Sequence, residues 1–196
     1  MAQRDADMDP FEVYLRAADR ARQEGVDTAP AALGTADAAG RPSVRVVLLR
    51  QVDGRGFVFY TNYGSRKARE LTENPHAALC QHWPTLEEQI RVEGTVEKVT
   101  AAESDAYFAG RPRDSQIGAW ASDQSQDLES RGVLETRYAE AEARFGSGSI
   151  TRPPFWGGFR VVPARIEFWY GRPGRLHERR LFVRDGSVWR ARYLYP

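Results

Sequence analysis

The sequence predicts a mainly β, α+β chain: an antiparallel barrel of Greek-key type with helices at its periphery. Three observations carry that expectation. Apolar runs of strand length recur in two blocks, residues 31–61 and 159–194, with Gly-containing turns in both. Between residues 65 and 145 the apolar spacing switches between the strand and the helix period. The 9 Phe, 8 Tyr and 5 Trp are ample for a core in a chain of 196 residues, a length suited to one domain over 1–196.

Taken in order, Asp9-Pro10 opens an N-terminal helix over 9–25, with Phe11, Tyr14, Leu15, Ala18 and Ala21 as its apolar positions and Gly25 as its stop. Residues 1–8 are expected to be disordered. Ala31 to Ala36, Val44 to Leu49 and Phe57 to Thr61 form a meander, turning at Ala38-Ala39-Gly40-Arg41-Pro42 and Asp53-Gly54-Arg55-Gly56. Ser65 N-caps a short helix that runs to Glu73 and stops before Pro75. Strands Ala77 to Trp83 and Gln89 to Val99 follow, the second alternating Ile90, Val92, Gly94 and Val96. Ala102 to Ala109 and Leu128 to Phe145 are helical, and Gly146 ends the second. Phe159 to Tyr170, Leu176 to Arg184 and Val188 to Leu194 return to strand, the last two joined by Arg184-Asp185-Gly186-Ser187.

The charge balance is 28 Lys+Arg against 27 Asp+Glu, and the bases are 26 Arg with only Lys67 and Lys98. Near neutrality argues against a general nucleic-acid binder. The arginine skew fits codon usage in a high-GC genome, and it equally fits guanidinium recognition of phosphate or carboxylate. The lone Cys80 and a charged N-terminus without an apolar signal core predict a reducing, cytoplasmic setting. No run approaches the ~18–20 apolar residues of a membrane span, so no membrane partner is expected. Three histidines and one cysteine, with no CxxC or HxxxH, argue against a metal site. There is no GxGxxG, P-loop or GxSxG motif.

Three constellations carry chemistry. In Tyr60-Thr61-Asn62-Tyr63-Gly64-Ser65-Arg66-Lys67 a strand ends and a helix begins with two cations in its first turn, where the macrodipole disfavours them. A bound anion reverses that penalty; a solvated helix face is the alternative. In Tyr107-Phe108-Ala109-Gly110-Arg111-Pro112-Arg113-Asp114-Ser115-Gln116, two arginines flank a proline beside a serine donor, an inventory for a phosphate monoester or for a surface loop with Arg–Asp pairing. Arg175, His177 and Arg179 fall on one face if their segment is a strand. Such a face calls for something anionic above it, or for a cross-strand carboxylate such as Glu167. The residues themselves thus point to a phosphorylated small ligand and leave the reaction open.

The chain also resembles the pyridoxamine 5′-phosphate oxidase family from about Asp9 to Pro196. The resemblance lies in Arg45-Val46-Val47-Leu48-Leu49, Phe57-Val58-Phe59-Tyr60-Thr61-Asn62, Gly64-Ser65-Arg66-Lys67-Ala68, Arg91-Val92-Glu93-Gly94 and the run from Arg111 to Trp120. It continues in Gln124-Ser125, Phe155-Trp156-Gly157-Gly158-Phe159-Arg160, Glu167-Phe168-Trp169 and Arg175-Leu176-His177. It implies an FMN-binding split β-barrel, a homodimer with two FMN at the subunit interface. It also implies oxidation of the 4′ carbon of pyridoxine or pyridoxamine 5′-phosphate to the aldehyde, with hydride passing to flavin N5 and O2 reduced to H2O2.

Matched position by position, the resemblance assigns the FMN phosphate to Arg66 and Lys67. It completes the cofactor site with Arg45, Tyr60, Thr61, Gln89, Gln124, Ser125, Trp169 and Arg179, the last beside the flavin N1–C2 edge. It assigns the substrate phosphate to Tyr107, Arg111 and Ser115, adds Arg50 to the substrate site, and makes Arg175 and His177 the catalytic pair over the pyridine ring. Departures from the family pattern are Arg50 for lysine, Tyr170 in FWQG, Glu178 in RLHDR, Glu87-Glu88-Gln89 for ERQ, and Gln81 where an aromatic is common. Strand parity places Arg45 and Arg50 on opposite faces. Two alternatives stay open: a same-fold flavin oxidase of the phenazine-biosynthesis type, and a non-catalytic flavin or pyridoxal-phosphate carrier. Retention of Tyr107, Arg111 and Ser115 favours a phosphorylated substrate, and a carrier has no need of Arg175 and His177.

Overall fold

Alternating apolar positions can bury one face only by pairing with neighbours. The computed structural model, which describes residues 9–196, contains eight antiparallel strands. These are β1 (Pro30–Ala36), β2 (Pro42–Asp53), β3 (Gly56–Asn62), β4 (His76–Trp83), β5 (Glu88–Lys98), β6 (Trp156–Tyr170), β7 (Glu178–Asp185) and β8 (Val188–Leu194). Their order is β3-β2-β1-β4-β5-β6-β7-β8, and β3 also pairs with β6. Strands β1 to β6 therefore close into a six-stranded barrel, from which β7 and β8 continue as an extension. The β3-to-β4 connection passes over β2 and β1, the Greek-key crossing, and carries α2 (Arg66–Glu73). Leu33, Phe57, Phe59, Val161, Ile166 and Phe182 fill the core.

Helix α1 (Pro10–Gln23) starts on Asp9, whose carboxylate accepts from the Phe11 N–H at 2.8 Å, and it buries Phe11, Tyr14, Ala17, Ala18 and Ala21. Gln81 finds its use here: it accepts from the Tyr14 hydroxyl at 2.9 Å and donates to the Thr28 carbonyl at 2.6 Å. The long β5–β6 connection holds α3 (Ala101–Ala109), α4 (Arg113–Ala121) and α5 (Arg131–Phe145). The expected disorder of residues 1–8 lies outside the described residues. Among the described residues no helix is long and apolar enough to cross a membrane.

Three helix and strand boundaries depart from the sequence expectation in ways that bear on the site. Helix α4 occupies what reads as a loop, because Pro112 ends one segment and also serves as the next helix's N-cap. Helix α5 starts at Arg131 rather than Leu128. Strand β7 starts at Glu178, since Pro173–Arg175 form a 3-10 turn with positive φ at Gly174 (68°) and Arg175 (61°). Arg175, His177 and Arg179 consequently do not share a strand face.

The barrel closes where Tyr60 and Thr61 of β3 meet Gly158 and Gly157 of β6. A Cβ on Gly157 would stand 2.1 Å from the Tyr63 hydroxyl, and one on Gly158 would stand 2.8 Å from the Tyr60 ring. Two residues beyond, Arg160 is 2% exposed and donates to Asp53 at 3.0 Å and to Glu103 at 2.9 Å, tying the β2–β3 turn to α3. Removing a buried guanidinium that bridges carboxylates costs ~3–5 kcal/mol. Asp53 and Glu103 keep side-chain exposures of 31% and 26%, which puts Arg160→Met at the low end. Urea unfolding at neutral pH is expected to register a loss of about 3 kcal/mol. A loss below about 1 kcal/mol, the range of a surface pair, would reduce the bridge to a solvated contact.

Candidate active site

One cleft of about 600 Å3 runs along β2 and β3 to the helices of the β5–β6 connection. It gathers Arg50, Tyr60, Thr61, Lys67, Tyr107, Arg111, Ser115 and Gln124 from the sequence expectation. Val46, Leu48 and Trp156 complete its apolar wall.

Helix α2 begins on one side of this cleft. Ser65 occupies its N-cap but makes no side-chain capping bond, contrary to expectation; its hydroxyl instead accepts from Lys67 Nζ at 3.3 Å. Lys67 also donates to Thr61 Oγ1 at 3.1 Å and Gln124 Oε1 at 2.7 Å, so its hydrogen-bond partners are three neutral oxygens. Burial, with Arg45 nearby, lowers its pKa to about 8. Helix α4 begins on the other side, behind Pro112, which has no capping side chain; Ser115 lies in its first turn. Arg111 stands ahead of it with its guanidinium over the Trp156 ring at 4.6 Å, and its buried Nη1 has no partner among the described residues. Burial pushes the Arg111 pKa below its usual value, and Arg50 adds to that push. Each side thus combines an uncapped helix start with a cation not paired to a carboxylate, an arrangement that fits an anionic group.

The cations behind α2 are held differently. Glu70, buried on α2, accepts from Arg66 Nε at 2.8 Å, Arg45 Nη2 at 3.1 Å, Ser43 at 2.7 Å and Thr35. Burial would raise its pKa, but these donors outweigh burial and bring it to about 2. Arg45 also donates to Leu33 O at 3.3 Å, to Thr35 and to Ser43, so its guanidinium is turned away from the cleft. Arg50 lies on the Val46–Leu48 face, unpaired at the register shift between Leu49 and Gln51. Parity therefore does separate Arg45 from Arg50. Arg113 leaves the cleft entirely and donates to Gly148 O at 2.8 Å and Gly146 O, beyond the end of α5.

The remaining expected residues assemble elsewhere. Gln89 on β5 stands opposite Trp169 on β6, which stands opposite Arg179 on β7, one row across three strands. His177 packs on Trp169 with ring centres 4.6 Å apart, and its Nδ1 accepts from the Arg172 N–H at 3.2 Å. Arg179 is paired to buried Glu167 at 2.8 and 3.1 Å, the cross-strand carboxylate weighed from sequence. Arg175 is exposed on its turn. Ser125 takes a strained φ of 71° and, unlike Gln124, does not line the cleft. Trp169 lies eleven residues along β6 from Gly158, about 35 Å of strand path, so the row and the cleft form two separate groups in one protomer.

Sequence reasoning missed Glu70 and Trp156. Glu70 carried a signal, four residues after Arg66 on a helix. Trp156 carried none beyond its place beside two glycines.

Residues 19–145 match the family model for pyridoxamine 5′-phosphate oxidase, and 156–196 match that for the pyridoxine 5′-phosphate oxidase C-terminal dimerisation region. A pyridoxine/pyridoxamine 5′-phosphate oxidase of Anaeromyxobacter dehalogenans is 58% identical, covering 87% of this chain and 86% of the relative. One from Rubrobacter xylanophilus is 54% identical over 100% and 91%. The crystal structure of PhzG from Burkholderia lata, in complex with tetrahydrophenazine-1-carboxylic acid, superposes with a TM-score of 0.92 at 34% identity, covering 96% of this chain and 93% of that one. A pyridoxamine 5′-phosphate oxidase-related, FMN-binding protein from Nostoc punctiforme shares the fold, with a TM-score of 0.76 at 18% identity and coverage of 97% and 100%. With both stretches and these relatives in agreement, the chain belongs to the pyridoxamine 5′-phosphate oxidase family.

Proposed function

We propose that this protein is an FMN-dependent oxidase that converts pyridoxamine or pyridoxine 5′-phosphate to pyridoxal 5′-phosphate with O2 as acceptor, in a reducing cytoplasmic setting. The observation that carries this reading is the pair of cations without carboxylate partners in one cleft, Lys67 at α2 and Arg111 at α4. One suits the cofactor's phosphate and the other the substrate's. Tetrahydrophenazine-1-carboxylic acid, bound by PhzG, bears a carboxylate and no phosphate, so the choice between the two substrate classes rests on what Arg111 receives.

Lys67 and Arg66 would hold the FMN phosphate, with Glu70 fixing the Arg66 guanidinium. Thr61 and Gln124, bonded to each other at 2.8 Å, would orient the chain leading to the ring. Arg111, Tyr107 and Ser115 would grip the substrate phosphate, with Arg50 beside them. The flavin supplies the two-electron oxidation and O2 restores it. His177 accepts a main-chain N–H at Nδ1, so Nε2 is the ring nitrogen left to donate to a ligand. Arg175, exposed on its turn, brings a cation to the same end.

This reading makes the protein a homodimer with FMN at the interface. Val44, Val46 and Leu48 leave 73%, 66% and 43% of their surface exposed on one face of β2, beside the cleft. A second protomer seated there would bring its own Gln89–Trp169–Arg179 row, with His177, to the cleft of the first. The match of 156–196 to a dimerisation region supports the same pairing.

Purified protein is expected to be yellow and to release peroxide with pyridoxamine 5′-phosphate far faster than with pyridoxamine. Bound flavin without turnover of either phosphorylated vitamer would sink the reading. Co-expression of Arg111→Ala with His177→Ala should restore about a quarter of wild-type activity, because mixed dimers keep one intact composite site. Activity no higher than that of either variant alone would place both residues in one protomer's site. Lys67, with its pKa lowered to about 8, must regain a proton to meet a phosphate above that pH. FMN affinity of the apoprotein should therefore weaken by up to about tenfold per pH unit above 8, with riboflavin affinity flat. Parallel curves for the two flavins would remove Lys67 from the phosphate.

A further inference from the structure

Lys67 and Arg111 face the cleft without a carboxylate, and they are supported in different ways. Lys67 rests on three neutral oxygens. Arg111 rests on rings, 4.6 Å from the centre of the Trp156 indole and 5.7 Å from that of Phe108. Trp156 is itself locked in place: it meets Phe108 edge-on at 5.2 Å and lies parallel to Tyr60 and Tyr107 at 5.6 and 6.1 Å. Arg45, Arg66 and Arg179 are instead held by the buried carboxylates Glu70 and Glu167. A carboxylate holds a guanidinium but cancels its charge. An indole face attracts the cation through its quadrupole and adds no net negative charge. Arg111 keeps an unpartnered Nη1 for a ligand oxygen.

We propose that Trp156 is the positioning residue for Arg111, holding the guanidinium at the cleft wall with its charge uncancelled. Trp156 thereby sets how strongly the protein prefers a phosphate-bearing pyridine over the dephosphorylated form. The inference rests on the pyridine-phosphate reading of the cleft.

The test is calorimetric titration of the FMN-loaded protein with pyridoxal 5′-phosphate and with pyridoxal, using wild type, Trp156→Leu and Trp156→Phe. Trp156→Leu should lose roughly tenfold in affinity for the phosphate ester and nothing for pyridoxal, and Trp156→Phe should recover most of the loss. Equal losses for both ligands, or no loss for the ester, overturn the proposal. Because leucine also disturbs the cluster of Phe108, Ile117 and Ile150 around Trp156, a second arm places mono-, di- and trifluorinated tryptophan at position 156. These keep the ring's shape and weaken its quadrupole. Ester affinity should fall stepwise with fluorination, and a flat series overturns the proposal. A wild-type protein that does not distinguish pyridoxal 5′-phosphate from pyridoxal overturns the functional reading, and this inference with it.

Discussion

The molecule depends on the close approach of β3 and β6 at Gly157 and Gly158. No side chain fits there, because Tyr63 and Tyr60 occupy the space a Cβ would need. That pairing turns an open sheet into a six-stranded barrel. It also brings Trp156 beside Tyr60 and Tyr107, and it carries Arg160 inward to Asp53 and Glu103. Closure of the barrel and the aromatic wall of the cleft are therefore one feature. A substitution at either glycine would be felt in ligand binding as well as in stability.

A second constraint is electrostatic. The arginines of the flavin and substrate expectation divide by their holders. Arg45 and Arg66 share Glu70, and Arg179 takes Glu167, so their charges are largely met within the protein. Lys67 and Arg111 have neutral holders, and burial lowers the pKa of both. Both cations are thus kept under tension that an anion relieves, at modest distance from helix N-termini that act in the same sense. A whole-chain net charge of +1 conceals this, because carboxylates elsewhere in the chain offset these cations in the sum.

Much of this was legible in the sequence. Strand periods are visible wherever one face is buried, which is why the meander and the C-terminal strands, the start of β7 apart, were legible. The cations at Arg66 and Lys67 marked the start of α2, and of the two Lys67 lines the cleft while Arg66 is tied to Glu70. Apart from Glu70, whose i,i+4 spacing from Arg66 was visible, what stayed hidden had no local signal. Helix α4 begins behind Pro112, a residue that equally marks a loop, and its discovery moves Ser115 into a helical first turn and sends Arg113 elsewhere. The alternation through Arg175, His177 and Arg179 looked like strand, but Gly174 and Arg175 adopt positive φ and break it. The separation of the cleft from the Trp169 row depends on strand path length, which a motif does not report.

Strand β6 links these two groups, and its shape decides whether they can cooperate. Its first residue, Trp156, lines the cleft, and near its end Trp169 stands opposite Arg179, which Glu167 holds. Midway, the β5 register shifts after Glu93, so that Gly94 faces Pro163 while Glu93 faces Arg165, leaving Ala164 as the extra residue of a bulge. Gly94 has no room for a side chain, since a Cβ there would stand 2.0 Å from the Val162 carbonyl. The bulge bends β6 and increases its twist, and that fixes the angle between its two ends. Within one protomer the ends point to different places. In the two-fold pairing proposed above, the same angle would set where each protomer's row meets the other's cleft, and both composite sites would take their geometry from one bend repeated twice. A side chain at Gly94 would push the Val162–Pro163 backbone aside, and in that pairing the shift would reach both sites together.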